Sequence, residues 1–344
     1  MMTKIALLTD SHFGARKGSQ IFHDYFEKFF RDTFFPALDD AGIDTVVHLG
    51  DCFDVRKGID YWSLDWAKRV FFRPLQERGI TLHLIVGNHD TAYKNTLRIN
   101  SPELNLQEFS NVIIYSSPGT HTIKNTPIFM IPWVCEDNAA EFAEELAFST
   151  AKVAMGHLEL AGFYANANYQ MQHGMDMSLL SHFDQVFSGH FHKRSSSGNV
   201  TYLGNTYQMY WNDVDETRGF HFYDLKTGDL EFVPNPNTMF HKIYYKKGKL
   251  INPNLYTNTY VKLIMEDKVN PKTLNALVEK LYKADIQDLK VIETVDLGID
   301  DDIEIETEDT LTTLSNYVMA MEEDVNKEGI IEIFRSLYVE SQEV

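Results

Sequence analysis

Apolar residues gather in seven short runs over the first part of the chain, at 5–9, 46–49, 82–86, 112–115, 128–131, 153–155 and 186–187. Their length and β-branched content predict buried strands. Residues 21–38, 62–78 and 139–148 carry apolar side chains at helical spacing and predict amphipathic helices, the first ended or kinked by Pro36. Strands alternating with helices predict an α/β fold on a layered sheet, not a barrel of hairpins. Phe29, Phe30, Phe34 and Phe35 fall on the first helix and read as helix-to-sheet packing rather than a base-stacking platform.

A second pattern begins after Pro234 and Pro236. Residues 260–264 and 289–293 predict strands, and 271–284 a helix with Asn270 as its cap and Pro271 in its first position. Together they make a small β-α-β lobe. Residues 296–309 hold eight acidic and no basic residues and read as a solvated linker. Beyond them Leu311, Leu314, Val318 and Met321 form one helical stripe, and Ile330, Ile333, Phe334, Leu337 and Tyr338 a second. These faces need cover, from the body of the chain or from a partner's groove.

The 344 residues carry 31 basic and 50 acidic side chains, a net charge of −19 that by itself argues against a nucleic-acid partner. The charge is uneven. Residues 296–344 hold 15 acidic and 2 basic residues, leaving 35 against 29, or −6, on the rest. The tail's acidity therefore does not exclude a polyanionic substrate for the body. Cys52 and Cys135 alone cannot build a disulfide framework or a four-thiolate zinc site. No apolar run reaches the roughly 18 residues of a membrane helix, and the stretch before Asp10 is too short for a signal peptide. A reducing cytoplasm is the expected setting.

Five polar clusters each follow an apolar run: Asp10-Ser11-His12, Gly50-Asp51 with Asp54, Gly87-Asn88-His89-Asp90, Gly156-His157, and Gly189-His190-Phe191-His192. Ligands of open α/β sheets bind at the carboxyl ends of the strands, so all five can converge on one rim. Any one cluster alone is weak: a lone Gly-His is more often a satisfied core histidine, and the Asp51 and Asn88 clusters alone suit caps or turns. The ordered set carries the signal. Carboxylates, imidazoles and one amide oxygen without thiolate suit Mn²⁺, Fe²⁺ or Zn²⁺ rather than Ca²⁺ or a structural zinc. Seven such groups exceed the needs of one ion, and two metals sharing a carboxylate is the economical solution. Two ions about 3.5–4 Å apart activate a water and clamp a phosphoryl oxygen. His89, beside a ligand, is placed to stabilise or protonate a leaving oxygen. The other eight histidines lack this context and read as structural or surface.

The order Asp-x-His, Gly-Asp-x-x-Asp, Gly-Asn-His-Asp, Gly-His, Gly-His-x-His resembles the calcineurin-like metallophosphoesterase superfamily. Within it, the stretches 50–57, 85–90 and 188–192 resemble the SbcD-type nucleases, catalytic subunits of SbcCD and Mre-type DNA repair complexes, including the phage recombination nucleases of that family. The resemblance runs nearly end to end. It implies a layered α/β/β/α sandwich as the nuclease domain (1–235), a small α+β capping domain for DNA recognition (236–295), the acidic linker (296–309), and a C-terminal helical pair (310–344) that grips an ATPase coiled coil. It further implies two divalent metals per chain, Mn²⁺ favoured and Mg²⁺ the alternative. Asp10, His12, Asp51 and His192 would surround one ion, Asp51, Asn88, His157 and His190 the other, with His89 as catalytic histidine. Asp54 stands where many cellular members have a second catalytic histidine and is expected to support the ligands from behind, as Asp90 is expected to orient His89. The working form implied is a homodimer with two SbcC-like ATPase subunits, and Trp62, Trp66 and Val70 are candidates for the dimer face.

Basic residues also follow the clusters: Arg16 and Lys17, Arg56 and Lys57, Lys94 and Arg98, Lys193 and Arg194. Their repetition at one rim favours contacts to a DNA backbone over ordinary loop solvation. With no base-reading element apparent, recognition should follow the backbone. The expected function is a Mn²⁺-dependent DNA exonuclease and endonuclease of recombination and repair. The rival is a phosphatase or small-molecule phosphodiesterase on the same fold, but Val55 after Asp54 and Asp90 after His89 depart from the protein-phosphatase pattern.

Overall fold

The structure, a computed structural model, describes residues 3–164, 170–214, 216–246, 248–267 and 270–293, together with 318, 326, 327, 329–331, 333 and 334. The acidic linker at 296–309 and the rest of the helical pair at 310–344 lie outside the described residues. Two compact units are formed, one of Met1–His241, Tyr256–Tyr260 and Asp285–Gln287, the other of Lys242–Leu255, Val261–Ala284 and Asp288–Val344.

The first unit contains two six-stranded sheets. One is ordered Leu230–Pro234, Gly219–Asp224, Lys4–Leu8, Thr45–His48, Thr81–Ile85, Val112–Tyr115; the other Ser195–Ser197, Val200–Tyr202, Gln185–Gly189, Val153–His157, Thr126–Ile131, Gly119–Ile123. The central strands of each are parallel; antiparallel strands close both ends of the second sheet and one end of the first, whose other end strand, Val112–Tyr115, pairs parallel to Thr81–Ile85. Successive side chains on a strand point to opposite faces, and here both faces are apolar. Ile5, Leu7, Val47 and Ile85 meet Ile128, Met130, Met155 and Phe187 between the sheets. Ala6, Leu8, Val46, Leu82 and Leu84 turn outward onto helices, and Phe129, Ala154, Val186 and Tyr202 do the same on the second sheet. Apolar runs without polar alternation were the signature of such doubly covered strands, and the layered α/β sandwich is the fold observed.

Phe29, Phe30 and Phe34 are fully buried under the first sheet, with Phe35 nearly so. Pro36 neither ends nor breaks its helix. A π-helical turn at Phe30–Phe34 precedes it, Phe35 N–H reaching the Phe30 carbonyl, and the helix continues over Phe35–Ala41. Pro74 repeats the arrangement after Lys68–Phe72. The widened turn re-pairs carbonyls next to a position that supplies no N–H. Strands Phe240–Tyr245, Tyr260–Met265 and Asp288–Glu293, most of whose residues belong to the second unit, form a sheet accompanied by the helix Pro271–Tyr282, whose cap Asn270 accepts from Lys272 N–H.

Two strand histidines predict an acid weakness. Burial, and then repulsion from His121, pushes His83 down to about 4; burial and then Arg194 bring His221 to about 4. Unfolded histidine titrates near 6.5, so the unfolded chain takes up protons that the folded one refuses until about pH 4. Their contribution to stability is therefore complete above about pH 7 and is lost as pH falls through 6.5 towards 4, by about 1–2 kcal/mol per histidine between pH 7 and 5. The urea midpoint should drop over that interval, and a His83→Gln/His221→Gln variant should flatten the drop.

Candidate metal centre

The carboxyl ends of the parallel strands deliver the clusters. Asp10 and His12 follow Lys4–Leu8, Asp51 and Asp54 follow Thr45–His48, Asn88, His89 and Asp90 follow Thr81–Ile85, His157 ends Val153–His157, and His190 and His192 follow Gln185–Gly189. Backbone bonds carry the strand pairing on into the loops: Asp10 N–H donates to the Gly50 carbonyl at 3.1 Å and His12 N–H to the Asp51 carbonyl at 3.0 Å. Asp10, His12, Asp51 and His190 hold φ of 53°, 42°, 52° and 88°, left-handed conformations that non-glycine residues adopt at a cost. Four strained residues at one rim mark a site whose geometry is imposed. Gly50, at φ 97°, leaves the space that the His157 ring fills; a Cβ there would strike the imidazole.

Two donor groups result. His192 Nε2 lies 3.3 Å from His12 Nε2, which is 4.0 Å from Asp10 Oδ1 and 3.8 Å from Asp51 Oδ2. In the second, His157 Nε2 lies 3.1 Å from the same Asp51 Oδ2 and 2.9 Å from Asn88 Oδ1, and His190 Nδ1 is 3.0 Å from that amide oxygen. Asp51 Oδ2 thus faces both. Among the described residues, Asp10, His12 and His192, His12, Asp54 and His89, and Asp51, His157 and His190 are each grouped closely enough to hold an ion.

The electrostatics fit cations. Burial opposes charge on Asp51, yet His157, His89 and His12 hold its carboxyl well below the usual range. Burial likewise disfavours a charged His157, but Asp51, Asp10 and the Leu49 carbonyl raise it to about 9. Burial, and then Asp51, raises Asp10. Burial, and then His12, pushes His192 well down. Carboxylates that hold a proton on a buried imidazole are asking for positive charge, which metal ions supply in exchange for protons. The Asn88 oxygen makes the same demand, lying 3.3 Å from Asp51 Oδ2 as well as beside two ring nitrogens.

Supporting contacts orient the donors. Asp54 Oδ1 lies 3.1 Å from His12 Nδ1, turning His12 Nε2 inward. His157 Nδ1 donates to the Leu49 carbonyl at 2.7 Å, and His190 Nε2 meets Glu159 Oε2 at 3.3 Å, which leave the opposite nitrogens facing the Asn88 side chain. His89 Nδ1 donates to the Asp54 carbonyl at 2.7 Å, and His89 N–H donates to Asp51 Oδ1 at 2.8 Å. Asp90 has a different part from the one expected. Its carboxylate accepts from Gly87, Phe53 and Cys52 N–H at 2.9, 3.0 and 3.3 Å and joins two ligand loops, while burial, and then Asp51, raises it to about 6. The buried Arg218 donates to the His192 carbonyl and to Asn205 Oδ1 and pairs with Asp213 at 3.1 Å. Glu159, Arg218 and Trp133, whose ring centroid is 5.1 Å from that of His190, were absent from the sequence reading. Glu159, two residues after His157 in the same cluster, was the one within reach of it.

The basic residues separate by placement. Arg56 comes within 3.1 Å of the Asn88 amide. Lys17, Lys57, Lys94 and Arg98 are exposed. Arg16 lies over the rings of Phe22 and Tyr210, Lys193 pairs with Glu216 at 3.6 Å, and Arg194 stacks 3.7 Å above Phe232. Trp66 and Val70 do not form an outer face: both are buried, with the Trp66 ring stacked on His23 at 4.3 Å. Trp62 and Tyr61 are exposed.

A family model described as calcineurin-like phosphoesterase matches residues 3–194. Exonuclease subunit 1 of Enterobacteria phage T4 is 35% identical over 305 residues, covering 87% of this chain and 88% of the relative. Among solved structures, an archaeal phosphodiesterase aligns with 14% identity and a TM-score of 0.34 over 67% of this chain and 99% of its own. A dimetal phosphatase from Danio rerio aligns with 12% identity and a TM-score of 0.42 over 68% and 99%. With more than half of its length matched by the family model and a relative aligned almost end to end, the chain belongs to the calcineurin-like phosphoesterases.

Proposed function

We propose that the chain is a DNA nuclease that hydrolyses phosphodiesters at a two-metal centre, with Asp10, His12, Asp51 and His192 around one ion and Asp51, Asn88, His157 and His190 around the other. The observation that carries this reading is Asp51 Oδ2 facing both donor groups, in a chain 35% identical to an exonuclease subunit. Mn²⁺ is favoured by the mixture of carboxylate, imidazole and amide donors, with Mg²⁺ the alternative. Such ions supply Lewis-acid polarisation of the phosphoryl group and an activated water. The chain's own residues orient and move protons: Asp54 sets His12, and His89 Nε2 protonates the leaving oxygen.

DNA is held by its backbone, through Arg16, Lys17, Arg56, Lys57, Lys94, Arg98, Lys193 and Arg194, of which Lys193 also pairs with Glu216. The small lobe supports the same reading. Burial, and then Lys290 and Lys242, lowers Lys262, so three ammonium groups crowd on neighbouring strands, an arrangement suited to phosphates. The T4 relative is named a subunit; the proposed partner here is an SbcC-like ATPase bound through residues 310–344, and the proposed homodimer uses the exposed face of Tyr61 and Trp62. The proposed setting is the cytoplasm; no described helix is long and apolar enough to cross a membrane.

The test is degradation of end-labelled linear duplex DNA by the purified chain with Mn²⁺ and with EDTA. Metal-dependent shortening is expected, from the full chain and from a chain ending at Asp309, with only the full chain capturing the ATPase. Hydrolysis of a small phosphodiester without DNA cleavage, even after the ATPase is added, would replace this reading with the phosphodiesterase one.

A further inference from the structure

We propose that Arg56 grips the scissile phosphate itself, its guanidinium and the Asn88 amide nitrogen forming a cradle for the non-bridging phosphoryl oxygens; this rests on the metallophosphoesterase reading of the site and assigns a residue within it.

The argument starts from the two ends of the Asn88 amide. The inner end lies 2.9 Å from His157 Nε2, 3.0 Å from His190 Nδ1 and 3.3 Å from Asp51 Oδ2; the outer end lies 3.1 Å from Arg56 Nη2. With nitrogen inward the amide donates to that ring of acceptors and its oxygen accepts from Arg56, so the protein satisfies itself. With oxygen inward Asn88 joins Asp51, His157 and His190 as a ligand, and its NH₂ then abuts the guanidinium. Two donors 3.1 Å apart need an acceptor between them. Arg56 Nη1 adds to the demand, since it is buried and has no hydrogen-bond partner in either orientation. Buried donors are rarely left unmet, and an unmet one carries its full desolvation cost. The ligand orientation therefore leaves Arg56 Nη2 and the Asn88 NH₂ facing each other, with Arg56 Nη1 also unmet, in want of an acceptor that the protein does not provide.

Position identifies the anion. Arg56 lies on the loop that carries Asp51 and Asp54 and touches a ligand side chain, so an oxygen it holds belongs to the group under attack, not to a neighbouring phosphate. The planar fork of arginine suits two oxygens of one phosphoryl group, and lysine would meet only one. Arg16, over two aromatic rings, has no such aim.

The experiment compares wild type with Arg56→Ala and Arg56→Lys. Metal per chain is counted first, then calorimetry measures inorganic phosphate binding to the Mn²⁺-loaded proteins. Equal metal content is expected, with phosphate bound at least about tenfold more weakly by both variants. Turnover should fall by about 10²–10³-fold on duplex DNA and on bis(4-nitrophenyl) phosphate alike, with KM for DNA little changed and partial rescue of Arg56→Ala by added guanidinium. A raised KM for DNA, a salt slope shallower by about one, and untouched hydrolysis of the small diester would make Arg56 a flanking backbone contact and overturn the proposal. Metal loss in both variants would overturn it too, by reducing Arg56 to a prop for Asn88. A wild type that takes up neither metal nor phosphate would defeat the metallophosphoesterase reading and this inference with it. A wild type active on the small diester and matched by both variants would defeat this inference alone.

Discussion

His89→Gln is expected to lower cleavage of duplex DNA by about 10²–10⁴-fold while the metal content stays at the wild-type level. The two halves of this result have separate causes. Residue 89 supports the metal centre through its backbone, whose N–H holds Asp51 Oδ1 at 2.8 Å, and a side-chain change leaves that bond in place. The imidazole is held differently, by Nδ1 donating to the Asp54 carbonyl at 2.7 Å, and the proposed proton transfer uses Nε2. Glutamine can keep the bond to Asp54 but cannot serve as a titrating acid. A second substrate sharpens the test: 4-nitrophenolate departs without a proton, so an activated diester should lose far less than DNA. Equal losses on both substrates would remove the acid role, and loss of metal would mean that the ring supports the centre.

The clusters were legible because each combines a chemical signature with a place: a polar group straight after an apolar run lands at the end of a buried strand, and parallel strands put such ends on one rim. The frame around them was less so. Each run reads as a buried strand whichever sheet it joins, so the division into two sheets was not in the runs themselves. Gly119–Ile123 and Ser195–Ser197 are edge strands with polar, largely solvent-facing side chains, and such strands give no apolar run. Gly219–Asp224 pairs beside Lys4–Leu8 at the heart of its sheet, yet His221 interrupts its pattern. Trp66 shows the limit of helical periodicity, which reports an apolar face but not what covers it; His23 and Phe13 do so from the same unit. Asp90 shows the limit of proximity in sequence. Adjacent to His89, it turns instead to three backbone amides on two loops, a partnership visible only once the loops are folded together. Arg56 was chosen for its charge, and its aim at Asn88 is a product of the loop's path.

Asp51 is where the two donor groups meet, and a pair of substitutions separates its chemistry from its packing. Asp51→Asn keeps the shape and removes the shared anion. Metal affinity should fall by more than about 100-fold, since even partners behind the ligands cost 10–100-fold, and cleavage should vanish with the metal. Above about pH 9, where His157 is neutral even beside Asp51, the metal-free variant should melt within a few degrees of metal-free wild type, because an amide fits the same space. Gly87→Ala leaves every ligand in place and removes the room for one of them: its Cβ would fall on the Asp51 carboxylate and backbone nitrogen. Asp51 cannot retreat, being held in a left-handed conformation at φ 52° with its carbonyl receiving His12 N–H. Gly87 cannot either, its own N–H being bound to the buried Asp90 at 2.9 Å. Overpacking of this kind costs about 1–3 kcal/mol, so Gly87→Ala should lower the melting temperature of the metal-free protein as well as abolish metal uptake. Calorimetry of both variants without metal, followed by Mn²⁺ titration, reads the two effects separately. A Gly87→Ala protein that melts like wild type and binds two ions would mean that these strand ends are not the rigid frame that the four strained residues require.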